Sequence, residues 1–258
     1  MSNLIEIRDV SVSFGGVKAV QHASFNVPEK QVTSLIGPNG AGKTTLFNLV
    51  SGATKVDSGE IFYRGVRIDK LHPHQIAHLG LIRTFQGAKV IKRMTVVENM
   101  LLAAQGNPGD HLWSLPFVGK RKRFEAAAKE RSLDLLEQVG LTKLADDYAG
   151  ILSGGQRKLL DLARAMMAQP QALLLDEPFA GVNPKLVETL VEVLQQLRKQ
   201  HELTILLVEH DLETVMAISD KVVVMAQGTP IAEGIPNSIY ENEAVIEAYL
   251  GSRRGSAS

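Results

Sequence analysis

Val32-Thr33-Ser34-Leu35-Ile36-Gly37-Pro38-Asn39-Gly40-Ala41-Gly42-Lys43-Thr44-Thr45 is the stretch that decides the fold. Its second part matches the pattern G-x-x-x-x-G-K-[ST], a glycine-rich loop that closes around phosphate. Each fixed position has a physical reason. Glycines let the backbone turn tightly and aim its N–H groups at phosphate oxygens. A helix starting near Lys43 presents its positive end to the same anion. The Lys43 ammonium reaches the outer phosphates of a nucleoside triphosphate, and the Thr44 hydroxyl is placed to ligate Mg2+. The loop follows the apolar strand VTSLI and precedes an amphipathic helix, the context that the pattern requires. Gly37, Pro38, Asn39, Gly40, Ala41, Gly42, Lys43, Thr44 and Thr45 are therefore the expected triphosphate cradle.

Outward from this loop, short β-branched and apolar runs alternate with longer helical patterns, which predicts an α/β fold. Strands are expected at Leu4–Val10, Lys18–Val27, Val32–Ile36, Gly59–Tyr63, Leu81–Phe85, Ala172–Leu175, Thr204–Val208 and Lys221–Met225. Helices are expected at Lys43–Val50, Val96–Ala104, Phe124–Val139, Gly154–Met167, Pro184–Gln200 and Leu212–Ile218. The runs at 32–36, 172–175 and 204–208 do not alternate, as befits strands covered on both faces, and belong at the centre of a mostly parallel sheet. From about Gly87 to Ile151 the strand pattern stops, which predicts a helical subdomain inserted into the core. Its middle, Gly106–Gly119, is rich in Gly and Pro, and 251–258 reads as a disordered tail.

Leu173-Leu174-Leu175-Asp176-Glu177 sets two acids at the end of a buried strand, where ligands bind in open parallel sheets. Asp176 is expected to hold magnesium, through water, against the phosphates. Glu177, one residue on and across the pleat, is expected to orient or deprotonate the attacking water. His210 follows the strand at 204–208 and falls at the same sheet edge, which favours a γ-phosphate contact; Asp211 can cap the next helix.

Bulk composition narrows the classes. Charged residues are 22% of 258 and balance to a net charge of +0, which offers no electrostatic reason to expect nucleic acid. There are no cysteines, so disulfides and thiolate metal sites are excluded. The N-terminus lacks a secretory pattern, and no apolar run nears the ~18 residues of a spanning helix, so a membrane connection would come through a partner. His72, His74 and His78 read as a solvated helix start rather than a zinc site, and Lys120-Arg121-Lys122-Arg123 as a solvated basic loop.

Leu152-Ser153-Gly154-Gly155-Gln156 resembles the signature of ABC ATPases, and with it the chain is similar to that superfamily from Leu4 to about Leu250. The resemblance implies a P-loop NTPase core with a mostly parallel sheet and an antiparallel β region. It also implies one nucleotide-binding domain over 4–250, with its core at 4–86 and 158–250 and the helical subdomain at 87–157. Phe14 looks like the residue that stacks on adenine, Gln86 like the Q-loop glutamine near magnesium and the reacting phosphate, and His210 like the switch histidine. Ser153, Gly154, Gly155 and Gln156 would contact the γ-phosphate held by an opposite subunit, so ATP would be sandwiched between two chains. Asn183 stands where many ABC ATPases have Asp, which puts a salt bridge at the dimer seam in doubt.

The AGxNP form at 180–184 and the stretches RTFQ at 83–86 and RMTVVEN at 93–99 are similar to branched-chain amino-acid importer ATPases. Their implied setting is the cytoplasmic face of the inner membrane. Partners would be integral-membrane permease subunits, a second ATPase subunit (with a homodimer as the alternative for the isolated chain) and, indirectly, a periplasmic solute-binding protein. Two other readings stay open: lipopolysaccharide export, and a soluble ABC ATPase of a cofactor-assembly complex.

Overall fold

A computed structural model describes residues 2–84, 90–104 and 118–254. The strands in chain order are β1 (Asn3–Phe14), β2 (Val17–Pro28), β3 (Val32–Ile36), β4 (Ser58–Tyr63), β5 (Val66–Arg67), β6 (Leu81–Arg83), β7 (Ala172–Asp176), β8 (Thr204–Val208), β9 (Lys221–Ala226) and β10 (Thr229–Gly234). The α-helices are α1 (Lys43–Val50), α2 (Pro73–His78), α3 (Val96–Leu101), α4 (Val118–Gln138), α5 (Gly154–Met167), α6 (Pro184–His201), α7 (Leu212–Ile218), α8 (Pro236–Tyr240) and α9 (Glu243–Arg254). They form two compact units, one of Met1–Arg83, Gln171–Ala180 and Leu194–Ser258, the other of Thr84–Pro170 and Gly181–Val193.

The first unit contains two sheets. β2-β1-β4-β5 is antiparallel throughout. The second runs β10-β9-β3-β8-β7-β6, parallel from β9 to β6, with β10 antiparallel on its edge. The three non-alternating runs lie side by side as β3-β8-β7, and every residue in them is buried, as two-sided coverage requires. Ile5, Ile7, Val27, Leu46, Phe47, Ile61, Leu174 and Val208 share one core, which ties the antiparallel sheet and α1 to the parallel sheet. This core seats the glycine-rich loop between a rigid strand and a rigid helix.

The second unit is helical. Thr95 opens α3 with a reciprocal capping box: its hydroxyl accepts from Glu98 N–H at 3.2 Å, and Glu98 Oε2 accepts from Thr95 N–H at 2.7 Å. The buried Asn99 amide accepts from Ile91 N–H and donates to the carbonyls of Ile91 and Thr95, pinning the chain before α3. On α4, Arg131 donates to the Met166 carbonyl at 2.7 Å, fastening α4 to the end of α5.

Several boundaries differ from the sequence reading. β5 and β10 were not expected, since two residues are too few to show a period and Pro230 demotes a strand; β10 survives because an edge strand tolerates proline. α9 runs to Arg254, so 251–254 continue a helix rather than begin a disordered tail; one glycine inside a helix costs only about 1 kcal/mol. Residues 255–258 lie outside the described residues, as do Phe85 in the expected strand and most of Gly106–Gly119.

Candidate nucleotide site

β3 ends at Ile36, and the backbone then turns through three left-handed glycines, with φ of 146° at Gly37, 79° at Gly40 and 94° at Gly42. Two of them also have no room for a side chain. A Cβ on Gly37 would meet the Met225 carbonyl oxygen at 2.1 Å, and one on Gly42 would meet that of Ala19 at 2.4 Å. The loop is closed by Ala41 N–H to Pro38 O at 3.2 Å and by Gly228 N–H to Ala41 O at 3.1 Å. Pro38 is half-buried, while Asn39 and Gly40 are exposed.

Lys43, the first residue of α1, is buried, and its ammonium donates to the carbonyls of Gly37 at 2.8 Å and Pro38 at 3.0 Å. It is thus held inside the loop rather than out in solvent. Burial pushes its pKa down, and the negative charge of Glu177 works the other way. Thr44 is exposed and Thr45 half-buried in the first turn of α1.

Asp176 closes β7, nearly fully buried. Its Oδ2 accepts from the Arg83 guanidinium at 3.0 Å. Arg83 also donates to Asn48 Oδ1 at 2.6 Å and Ser51 Oγ at 2.9 Å, and lies over the Phe47 ring at 4.8 Å. Burial raises the Asp176 carboxyl above the ordinary range, and Arg83 pulls it back. The other oxygen, Oδ1, is buried with no hydrogen-bond partner among the described residues. An orphaned carboxylate oxygen costs about 1–3 kcal/mol, so this donor atom fits a hard cation.

Glu177 corrects one expectation. It does not continue the pleat of β7: its φ is +47°, a left-handed conformation that costs a non-glycine residue on the order of 1 kcal/mol. Its N–H donates to Val208 O at 3.0 Å, and its carbonyl accepts from Ala180 N–H at 3.2 Å, so the chain leaves the sheet in a tight turn at this residue. His210 lies one residue beyond the buried Glu209, with its side chain 58% exposed and Nδ1 3.6 Å from Glu209 Oε2. Asp211 caps α7, its Oδ2 accepting from Thr214 N–H at 3.0 Å. Phe14, half exposed, ends β1 in the antiparallel sheet.

Arg83 and Glu209 escaped the sequence reading. Glu209 is 1% exposed and accepts from two backbone N–H groups, Phe179 at 3.1 Å and His210 at 3.2 Å. Burial raises its pKa, against those two N–H groups. The sequence signal was faint: an acid directly after five buried strand residues, where solvent exposure is the default reading.

In the second unit, Ser153 is the N-cap of α5. Its hydroxyl accepts from Gln156 N–H at 3.3 Å, and Gln156 Oε1 accepts from Ser153 N–H at 2.8 Å, which closes a capping box. The N–H groups of Gly154 and Gly155 remain in the first turn, where a helix has no internal acceptors for them. Gly154 has open space around it, whereas a Cβ on Gly155 would sit 1.7 Å from Leu186 Cδ2. Asn183 caps α6, Oδ1 accepting from Lys185 N–H at 2.9 Å, so the amide does at a helix start what a carboxylate would. The structure thus brings Phe14, Gly37–Thr45, Asp176, Glu177 and His210 into the first unit and Ser153–Gln156 into the second; Gln86 lies outside the described residues.

Comparison with known proteins agrees with this arrangement. A family model described as ABC transporter matches residues 20–180. The high-affinity branched-chain amino acid transport ATP-binding protein BraF of Pseudomonas aeruginosa is 44% identical over 249 residues, which is 96% of this chain and 98% of that protein. The protein LivG of Escherichia coli K12, of the same description, is 42% identical over the same shares of each. Among solved structures, an ATP-binding cassette of an ABC transporter in its ADP conformation superposes with a TM-score of 0.84 at 33% identity, covering 97% of this chain and 100% of that one. A nucleotide-free cassette gives 0.82 at 34% identity, covering 96% and 99%. With the loop, the strand-end acids and the capped glycine pair in place, the match over most of its length means that the chain belongs to the ABC transporter family, as one of its ATPases.

Proposed function

We propose that this chain is the ATP-binding and hydrolysing subunit of an importer for branched-chain or related amino acids. The observation that carries the substrate class is the 42–44% identity over 98% of the length of relatives so described. Neither lipopolysaccharide export nor cofactor assembly has comparable support.

In this reading the loop amides, Lys43 and Thr45 bind the triphosphate, and Phe14 stacks on adenine. The Thr44 hydroxyl and Asp176, whose orphaned Oδ1 suits an oxygen-seeking ion, would hold Mg2+, with Gln86 near it, and the ion would supply charge neutralisation at the phosphates. Glu177 takes the proton of the attacking water or orients it, and His210 contacts the γ-phosphate. Ser153, Gly154, Gly155 and Gln156 complete the site of an opposite ATPase subunit, a different chain in the cell, with two copies of this one as the alternative in isolation. Closing and reopening of that pair drives the permease subunits at the cytoplasmic face of the inner membrane, and a periplasmic solute-binding protein delivers the cargo. No helix among the described residues is long and apolar enough to cross a membrane, so the permease must supply the path.

The test is deletion of the gene in its own cell, followed by uptake of labelled leucine, isoleucine and valine, with mass spectrometry of polypeptides that copurify from membranes. Unchanged uptake of all three would overturn the substrate class. Copurification without a permease would overturn the transport role.

A further inference from the structure

Glu209 is a charged side chain at 1% exposure that no step above uses. Burying a carboxylate is costly unless hydrogen bonds compensate. Here they come from two backbone N–H groups on separate strand-end turns. Oε1 accepts from Phe179, two residues past Glu177, and Oε2 accepts from His210 itself. The turn carrying Glu177 is a left-handed, non-glycine conformation, which persists only where its surroundings hold it. One bond from Glu177 N–H to Val208 O holds its near side, and Glu209 holds its far side.

We infer that Glu209 is a positioning residue for hydrolysis, a buried carboxylate that clamps the Glu177 turn and the His210 backbone together so that both side chains keep their place at one sheet edge. This rests on the proposed roles of Glu177 and His210. Glu209 is enclosed by the protein, and it acts through the two turns whose N–H groups it accepts from. Errors of about 1 Å in the placement of a catalytic group cost on the order of 10²-fold in rate. Loosening the clamp therefore lowers turnover while nucleotide binding, which the glycine-rich loop governs, stays as it was.

The experiment compares the full-length chain with Glu209→Gln, measuring kcat and KM for Mg-ATP, nucleotide affinity and Tm. Gln keeps one acceptor oxygen but turns an NH2 group toward a backbone N–H donor. The expected result is a fall in kcat of about tenfold or more, with KM and affinity within about twofold. In a Glu177→Gln background the same change should add little, because residues acting as a unit are not additive. Unchanged kcat overturns the inference, as does a parallel loss of kcat, affinity and Tm, or a full multiplicative loss in the Glu177→Gln background. If Glu209→Gln does not fold, Glu209→Asp, with both oxygens set back by one methylene, is read by the same criteria. A wild-type chain that binds but never hydrolyses ATP, alone or with its membrane partners, would instead sink the ATPase reading.

Discussion

Arg83 and Asp176, 93 residues apart in sequence, meet through a 3.0 Å bond from guanidinium to carboxylate Oδ2. The same guanidinium reaches Asn48 and Ser51, so one side chain from β6 ties α1, just after the phosphate loop, to the acid at the end of β7. Asp176 Oδ1 is left buried without a hydrogen-bond partner among the described residues. The loop and the carboxylate are therefore held relative to one another by the protein's own contacts.

Replacing Arg83 by Met should cost stability, because it leaves a buried carboxylate uncompensated, a loss of about 3 kcal/mol. The sign with pH follows from the raised Asp176 pKa. A carboxyl whose folded pKa lies above its unfolded one destabilises the fold as pH rises through that interval, and losing Arg83 widens the interval. Denaturant melts should show the larger deficit near neutral pH and the smaller one in mild acid. A deficit independent of pH would mean that the lost contacts to Asn48, Ser51 and Phe47 dominate.

Glu177→Gln removes the proposed base but keeps the shape of the turn, since its N–H to Val208 and its carbonyl bond to Ala180 are main-chain. Turnover should fall by roughly 10²- to 10⁴-fold, with ATP affinity kept. Size-exclusion chromatography with ATP should then show an accumulating dimer. Near-wild-type phosphate release would remove Glu177 from its assigned role.

Gly37→Ala and Lys43→Ala should instead weaken nucleotide binding itself. The added Cβ at Gly37 meets a backbone oxygen at 2.1 Å, which no rotamer change relieves. Lys43→Ala withdraws the only charge held within the loop by the carbonyls of Gly37 and Pro38. Equilibrium binding of a fluorescent ATP analogue should weaken by about tenfold or more in both, through the displaced loop backbone in Gly37→Ala and through loss of a charge-assisted hydrogen-bond donor in Lys43→Ala.

How much of this could be read from the chain depends on the range of the interaction. The β3, β7 and β8 runs carry their burial in their own composition, and the loop and the Asp211 cap are local patterns of a few residues. All of these were legible. Arg83 was not, because a lone arginine in a short strand says nothing about a carboxylate 93 positions on. Glu209 was hidden by its neighbours: next to a histidine and an aspartate it reads as one more solvated acid, and only the approach of the Phe179 turn shows that it is enclosed. The left-handed φ of Glu177 is likewise imposed by tertiary contacts on a residue with no local preference for it.

Asp161 on α5 offers a pH test within the second unit. Burial pushes its carboxyl up to about 6 from the ordinary 3.8, while Arg164, 3.6 Å away, pulls it back. The fold favours the protonated form, so this group's contribution is fully retained below the unfolded pKa and lost as pH rises to about 6. Above that value Asp161→Asn should therefore be more stable than wild type, by up to about 3 kcal/mol. The difference should vanish in acid. A variant less stable at neutral pH would show that the Arg164 pair outweighs the desolvation.

Ser153 carries two functions that substitution can separate. As N-cap of α5 it accepts from Gln156 N–H, and removing that acceptor costs about 1 kcal/mol. As neighbour of the Gly154 and Gly155 N–H groups, it belongs to the surface proposed to meet the γ-phosphate on an opposite subunit. Ser153→Ala loses the cap, and the expected result is a lower Tm with reduced hydrolysis. Ser153→Asp keeps the cap, since Asp is as good an N-cap as Ser, but sets a negative charge where a phosphate must approach. It should melt near wild type and still fail to dimerise with ATP or to hydrolyse it. Nucleotide affinity of the monomer should be unchanged in both, because the loop proposed to bind it, Gly37–Thr45, belongs to the other unit. Were Ser153→Asp to dimerise and turn over normally, the capped glycine pair would be a helix start and nothing more.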